Sequence, residues 1–168
     1  YLISPNKITE NFYKDLRLVI KSNKVNFFQM RLKNYTTKQK LFIGNKIQKI
    51  CKKKNIKFIV NDDPLLARKL NADGCHLGQK DMHISKARKI IGNKIIGITC
   101  HNSIKLAKDA IKFKADYLAF GAFNFTKTKK TKYQATPKIL NAASKLTNIP
   151  IVAIGGINSI NYKKLLLN

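Results

Sequence analysis

The chain has 168 residues, with 34 Lys and Arg against 8 Asp and Glu, for a formal net charge of +26 at pH 7. That length suits one domain with a sizeable core, and a hydrophobic content of 44% argues against disorder. No apolar run approaches the roughly 18 residues of a membrane span, and no secretory leader is visible before Tyr1, a first residue that itself suggests a trimmed start.

From there the apolar residues alternate between two periods. Tyr1, Leu2 and Ile3 form a short apolar run, and Ile8, Phe12, Leu16, Val19 and Ile20 predict a helix over 8–22. Residues 25–30 are strand-like and lead into Arg31-Leu32-Lys33. A long basic helix over 36–54 turns Leu41, Ile43, Ile47 and Ile50 inward. Strands follow at 56–60, 74–77, 95–99, 116–120 and 151–154. Helices are expected at 64–70, 84–91, 103–113 and 137–146, with a last one from about 159 and a long loop over 121–135. Strands alternating with helices in this way indicate βα units and a parallel sheet of seven strands.

A doubly wound sheet and a barrel both fit that alternation. The dinucleotide fingerprint after the first strand is absent, with Ser4-Pro5-Asn6 in its place. In barrels the chemistry gathers at the carboxyl ends of many strands. Polar residues or glycines stand at six such ends here: Arg31 and Lys33, Asn61 and Asp62, Asp81, Thr99, Thr126-Lys127-Thr128-Lys129, and Gly155-Gly156. The expectation is an α/β fold of the TIM (β/α)8 barrel type with the eighth strand missing from this chain, a single domain over 1–168 truncated at both ends.

The acidic residues are concentrated. Asp62, Asp63, Asp73 and Asp81, half of the eight, fall between Asn61 and Asp81. Carboxylates at neighbouring strand ends suit a hard cation such as Mg²⁺, which takes oxygen ligands. Asp and Asn equally favour turns and helix caps. Asp63-Pro64 has the form of a helix start, and Asp73-Gly74 that of a turn. For Asp62 and Asp81 the residues alone leave metal ligand and turn residue level.

The positive charge does not point to nucleic acid. It is almost all Lys, spread along the chain, whereas Arg is the residue suited to bidentate phosphate and base contacts. Most of it reads as solvated surface, with a fraction serving an anionic ligand. Cys51, Cys75 and Cys100 are too scattered for a disulfide framework and read as reduced, cytoplasmic thiols. The neighbours Cys75-His76 and Cys100-His101 lack zinc-site spacing.

Taken together, the strand ends offer two carboxylates, an amide, several cations and a Gly-Gly turn. Arg31, Lys33 and Lys129 around a polyanion, with Asn61 donating, suit a pyrophosphate leaving group. Gly155-Gly156 ahead of a helix would present backbone N–H groups to a second phosphate.

These residues carry a resemblance. The chain reads Gln29-Met30-Arg31-Leu32-Lys33, Val60-Asn61-Asp62, His76-Leu77-Gly78-Gln79-Lys80-Asp81, Thr126-Lys127-Thr128-Lys129 and Gly155-Gly156-Ile157. It resembles the thiamine phosphate synthase (thiamine-phosphate pyrophosphorylase)/TenI family, whose pattern is QxRxK, VND, HLGQxD, TxTK and GGI in that order, over nearly the whole length. The resemblance implies Mg²⁺-dependent joining of hydroxymethylpyrimidine diphosphate to thiazole phosphate, giving thiamine phosphate and pyrophosphate. It implies Mg²⁺ on Asp62 and Asp81. Gln29, Arg31, Lys33, Asn61 and Lys129 would hold the diphosphate and its pyrimidine alcohol. Thr126, Lys127, Thr128 and Gly156 would hold the thiazole phosphate. Thr99 stands where the family usually has Ser, keeping the hydroxyl and adding a methyl beside the pyrimidine.

The family's GPxFPT segment reads Gly121-Ala122-Phe123-Asn124-Phe125-Thr126, without either proline, and is expected to be looser. Two other readings stay open on the residues: a thiazole tautomerase of the same family with His101 as acid/base, and a non-catalytic polyanion- or nucleic-acid-binding protein. His76 is expected to pack at its strand end and His83 to lie at the surface. The expected partners are the two small phosphorylated substrates, without membrane or nucleic acid; a homo-oligomer stays open.

Overall fold

In the computed structural model, which describes residues 1–22, 24–125 and 132–166, seven strands alternate with seven helices. They run β1 (Leu2–Ile3), α1 (Phe12–Lys21), β2 (Phe27–Met30), α2 (Thr37–Lys52), β3 (Lys57–Asn61), α3 (Pro64–Lys69) and β4 (Gly74–Leu77). The second half continues with α4 (Ile84–Ile91), β5 (Ile95–His101), α5 (Ile104–Lys112), β6 (Tyr117–Phe120), α6 (Pro137–Ser144), β7 (Ile151–Ala153) and α7 (Lys163–Leu166).

The strand order is β1-β2-β3-β4-β5-β6-β7. That sequential order decides between the two architectures, because a doubly wound sheet reverses direction at a switch point. The fold is that of a TIM-type (β/α) barrel with seven of its eight strands among the described residues. The chain divides into two compact units. One comprises Tyr1–His76 and Lys86–Ile95, the other Leu77–Ser85 and the chain from Ile96 onward.

In the first unit, β1, β2, β3 and β4 pair in parallel, with Gln29 opposite Ile59, Met30 opposite Val60 and Asn61 opposite His76. The core holds Phe28, Met30, Phe58, Ile59 and Val60 from the strands. Phe12, Leu16 and Ile20, one helical stripe, cover it from α1, as do Ile43, Ile47 and Cys51 from α2. α2 starts on a capping box: the Gln39 N–H donates to Thr36 Oγ1, and the Thr36 N–H to Gln39 Oε1. At Gly44 a Cβ would come within 2.7 Å of a Leu70 methyl, so a larger residue there would make the Leu70 side chain shift.

In the second unit, β5, β6 and β7 pair in parallel, and the register shifts between Thr99 and His101. The Asp116 carboxylate accepts from the Ile96 N–H at 2.7 Å. Asp73 does the same at the start of β3 in the first unit, accepting from the Phe58 N–H at 2.9 Å and pairing with Lys57. An Asp carboxylate just ahead of one strand thus accepts from the second amide of the strand beside it.

Several expectations need correction. The first helix begins at Phe12, not at residue 8, and Val19 faces solvent at 46% exposure. Leu41 and Ile50 are half-buried, and Cys51 takes the fully buried place in α2. α7 begins at Lys163, so Gly156 does not stand at a helix start: residues 157–162 intervene. β5 continues two residues past the expected end, to His101.

Candidate active site

The first unit gathers the residues after β2 and β3. A cavity of about 220 Å³ is lined by Lys33, Lys40, Asn61, Asp62 and Asp63 over the apolar side chains of Met30, Leu32, Val60 and Leu66. The Lys33 Nζ lies 3.6 Å from the Asp62 carboxylate. Asp62 sits at φ +65°, the left-handed region that Asp and Asn tolerate better than most side chains. Its backbone N–H donates to the His76 carbonyl at 2.8 Å, tying the end of β3 to β4. Asp63 is the N-cap of α3, its Oδ1 accepting from the Leu66 N–H at 2.9 Å with Pro64 following, as the sequence implied.

Arg31 and Gln29 are held by other partners. The Arg31 guanidinium donates to Asn6 Oδ1 at 2.9 Å, and its backbone N–H to Ser4 Oγ at 2.9 Å. Gln29 is 3% exposed and its Nε2 donates to the Tyr1 hydroxyl. Neither lines the cavity that holds Lys33 and Asp62.

Within the second unit lies the turn after β4. The Gly78 N–H donates to Asp81 Oδ2 at 2.7 Å, fixing the carboxylate, and the Gln79 Nε2 donates to the Thr99 carbonyl at 2.6 Å. The HLGQxD turn therefore joins Asp81 and Thr99 in one hydrogen-bonded assembly. Thr99 is buried at 7% exposure.

Gly155 and Gly156 have φ of +92° and +63°. A Cβ on Gly156 would meet the Phe125 carbonyl oxygen at 2.4 Å, and one on Gly155 would meet Ala122 at 2.3 Å. Close backbone approach therefore requires glycine at both positions. The described part of the segment without prolines is fastened there: the Phe123 N–H donates to the Ile154 carbonyl, Asn124 to Gly155, and Ala122 to Tyr133. Thr126, Lys127, Thr128 and Lys129 lie outside the described residues.

The histidines divide as expected in part. His76 is buried within β4, and His83 is exposed, bonded to Ser85 and edge-on to Phe113. His101 ends β5 at φ +52°, stacked on Tyr133 at 4.1 Å. Cys51, Cys75 and Cys100 are all buried free thiols, and burial pushes Cys51 and Cys100 up to about 12. Protonated, buried thiols are poor zinc ligands and poor nucleophiles.

Sequence reasoning missed two residues. Lys40, in the first turn of α2, lines the cavity with Lys33 and Asp62. Nothing singles it out among thirty lysines in the sequence; the fold places it, because the first turn of a helix that follows a strand overlooks that strand's end. Gln79 was read only as a motif letter, although its amide is what reaches Thr99.

The family model for thiamine monophosphate synthase matches residues 1–168. The chain belongs to this family. The thiamine-phosphate synthase of Pelagibacter ubique is 67% identical over 169 residues, covering 100% of this chain and 82% of that protein. The synthase of Nitrosomonas eutropha is 38% identical, with 99% and 79% covered. Among solved structures, the thiamine phosphate pyrophosphorylase of Pyrococcus furiosus superposes with a TM-score of 0.88 at 30% identity, covering 99% of this chain and 79% of that one.

Proposed function

We propose that the chain is a transferase of the thiamine-phosphate synthase type, joining hydroxymethylpyrimidine diphosphate to thiazole phosphate with release of pyrophosphate. The observation that carries the reading is the cavity at the ends of β2 and β3. There the Lys of QxRxK and the Asp of VND stand 3.6 Å apart beside Asn61. The 67% identity to a thiamine-phosphate synthase supports the same reading.

Asp62 and Asp81 are the carboxylates proposed for a divalent metal. Asp62 already holds a cation, the Lys33 ammonium, and Asp81 has Oδ2 anchored by Gly78 while Oδ1 accepts no hydrogen bond among the described residues. Among those residues no three His, Cys, Asp or Glu side chains cluster as a metal site. Mg²⁺ commonly takes one or two carboxylates and completes its shell with substrate phosphates and water. Asp62 and Asp81 would hold Mg²⁺, which when bound neutralises charge on the departing diphosphate.

The chain's own groups do the rest. Lys33 and Asn61, which line the cavity, would hold the diphosphate, joined by Lys129 and by Arg31 once its guanidinium exchanges Asn6 for the anion, and Gln29 and Thr99 would flank the pyrimidine. Held in this way, the pyrimidine CH₂–O bond breaks and its electron pair leaves with pyrophosphate. The thiazole nitrogen lone pair then forms the new C–N bond. Cations fixed where negative charge accumulates favour the first step, and holding the two substrates side by side favours the second. Thr126, Lys127, Thr128 and the Gly156 N–H hold the thiazole phosphate. The nucleophile is a neutral ring nitrogen, so no general base is needed, and His101 needs no acid/base role. Its imidazole is taken up by stacking on Tyr133. All three cysteines are free thiols, which supports a cytoplasmic location; no helix among the described residues is long and apolar enough to cross a membrane.

Replacing Lys129 by Ala should lower kcat/KM for the pyrimidine diphosphate by about 10²-fold, the scale of losing one transition-state charge contact. Unchanged kcat/KM would remove Lys129 from the site. Thiazole isomerisation without any thiamine phosphate formation would favour the tautomerase instead.

A further inference from the structure

We propose that Lys40 is a second lysine of the diphosphate pocket, contacting the anion alongside Lys33 and favouring a diphosphate over a monophosphate. This rests on the function proposed above and extends it to a residue outside the QxRxK, VND, HLGQxD, TxTK and GGI motifs.

Four charged side chains line the cavity: Lys33, Lys40, Asp62 and Asp63. Three have partners. Lys33 and Asp62 pair with each other, and Asp63 caps α3 through the Leu66 N–H. Lys40 makes no ion pair among the described residues, although it is half-buried and two carboxylates line the same cavity. A cavity-lining lysine without an ion-pair partner leaves its charge available to an anionic ligand. Its backbone is fixed, since the Lys40 N–H donates to the Thr36 carbonyl at 2.9 Å behind the capping box of α2. The side chain is therefore anchored on a hydrogen-bonded turn that lines the cavity.

The two lysines come from different elements, Lys33 from the loop after β2 and Lys40 from α2. A lysine binds phosphate as a point charge with three rotatable donors. Two point charges approaching from separate elements suit an anion with two phosphoryl groups better than one with a single group. A cavity of about 220 Å³ also has room for such a headgroup.

The test uses inorganic pyrophosphate and inorganic phosphate as probes, titrated with Mg²⁺ present into wild type, Lys40→Met and Lys40→Arg. Thermal midpoints establish that each variant is folded. Lys40→Met should bind pyrophosphate about 10-fold more weakly, the scale of one charge-assisted contact, lose less for phosphate, and show a shallower salt dependence. Lys40→Arg should recover most of the loss. In steady state, KM for the pyrimidine diphosphate should rise by a similar factor while KM for the thiazole phosphate stays the same. Wild-type pyrophosphate affinity in Lys40→Met overturns the proposal, as does equal weakening for the two probes. If wild type binds pyrophosphate in a Lys40-dependent way but forms no thiamine phosphate, the site stands and the synthase reading falls. If wild type forms thiamine phosphate and Lys40→Met matches it in KM, only the Lys40 proposal falls.

Discussion

Asp62 combines two demands in one residue. Its carboxylate faces Lys33, and its backbone lies in the left-handed region at φ +65°. Asn tolerates that backbone about as well as Asp, whereas Ala there costs about 1–2 kcal/mol. Asp62→Asn should therefore keep the wild-type thermal midpoint and lose about 10²-fold or more in kcat/KM, while Asp62→Ala should lose activity and stability together. Full activity in a folded Asp62→Asn would remove the carboxylate from the chemistry. Asp62, Asn61 and Lys33 were legible because each stands at, or within three residues of, a strand end that the apolar run marks. Lys40 was not legible, because in a chain with thirty lysines one more on a basic helix carries no signal. Only the fold shows that its turn overlooks the end of β2.

At the scale of elements, the sequence marked helix starts best where a side chain caps them. Asp63 and Ser103 accept from the Leu66 and Leu106 amides, and the helices begin at Pro64, as expected, and at Ile104, one residue after the expected start. α1 has no side-chain cap hydrogen bond, so its apolar spacing back to Ile8 overran the true start at Phe12. The last helix likewise begins at Lys163, a few residues after the expected start near 159. Asp63→Ala should lower stability by about 1 kcal/mol, the usual cost of losing such a cap. In a chain of this size that is a fall of about 2–4 °C in thermal midpoint. Because α3 follows Asp62 directly, activity should drop along with it. A melting curve identical to wild type would show that the Asp63–Leu66 bond contributes nothing.

At the scale of the molecule, composition was right about class and silent about the site. The excess of lysine is carried mostly by exposed positions, consistent with solvated surface. The cysteines illustrate what burial adds. Cys51 and Cys100 are pushed up to about 12 in the folded chain, from an ordinary value of 9.0. Below about pH 9 both folded and unfolded thiols are protonated, so stability is unaffected there. From pH 9 towards 12 the unfolded chain ionises first, and this contribution to stability is lost. A thiol reagent at pH 8 should thus leave both cysteines intact in the native protein and modify them on unfolding; fast labelling of either in the native state would contradict their burial. The central claim is a metal-dependent synthase, and the most direct test is to incubate purified protein with both phosphorylated substrates, with Mg²⁺ or with EDTA, and quantify thiamine phosphate and pyrophosphate. The expected result is one pyrophosphate per thiamine phosphate, with Mg²⁺ only and with both substrates only. No product with Mg²⁺, or equal product in EDTA, would contradict it.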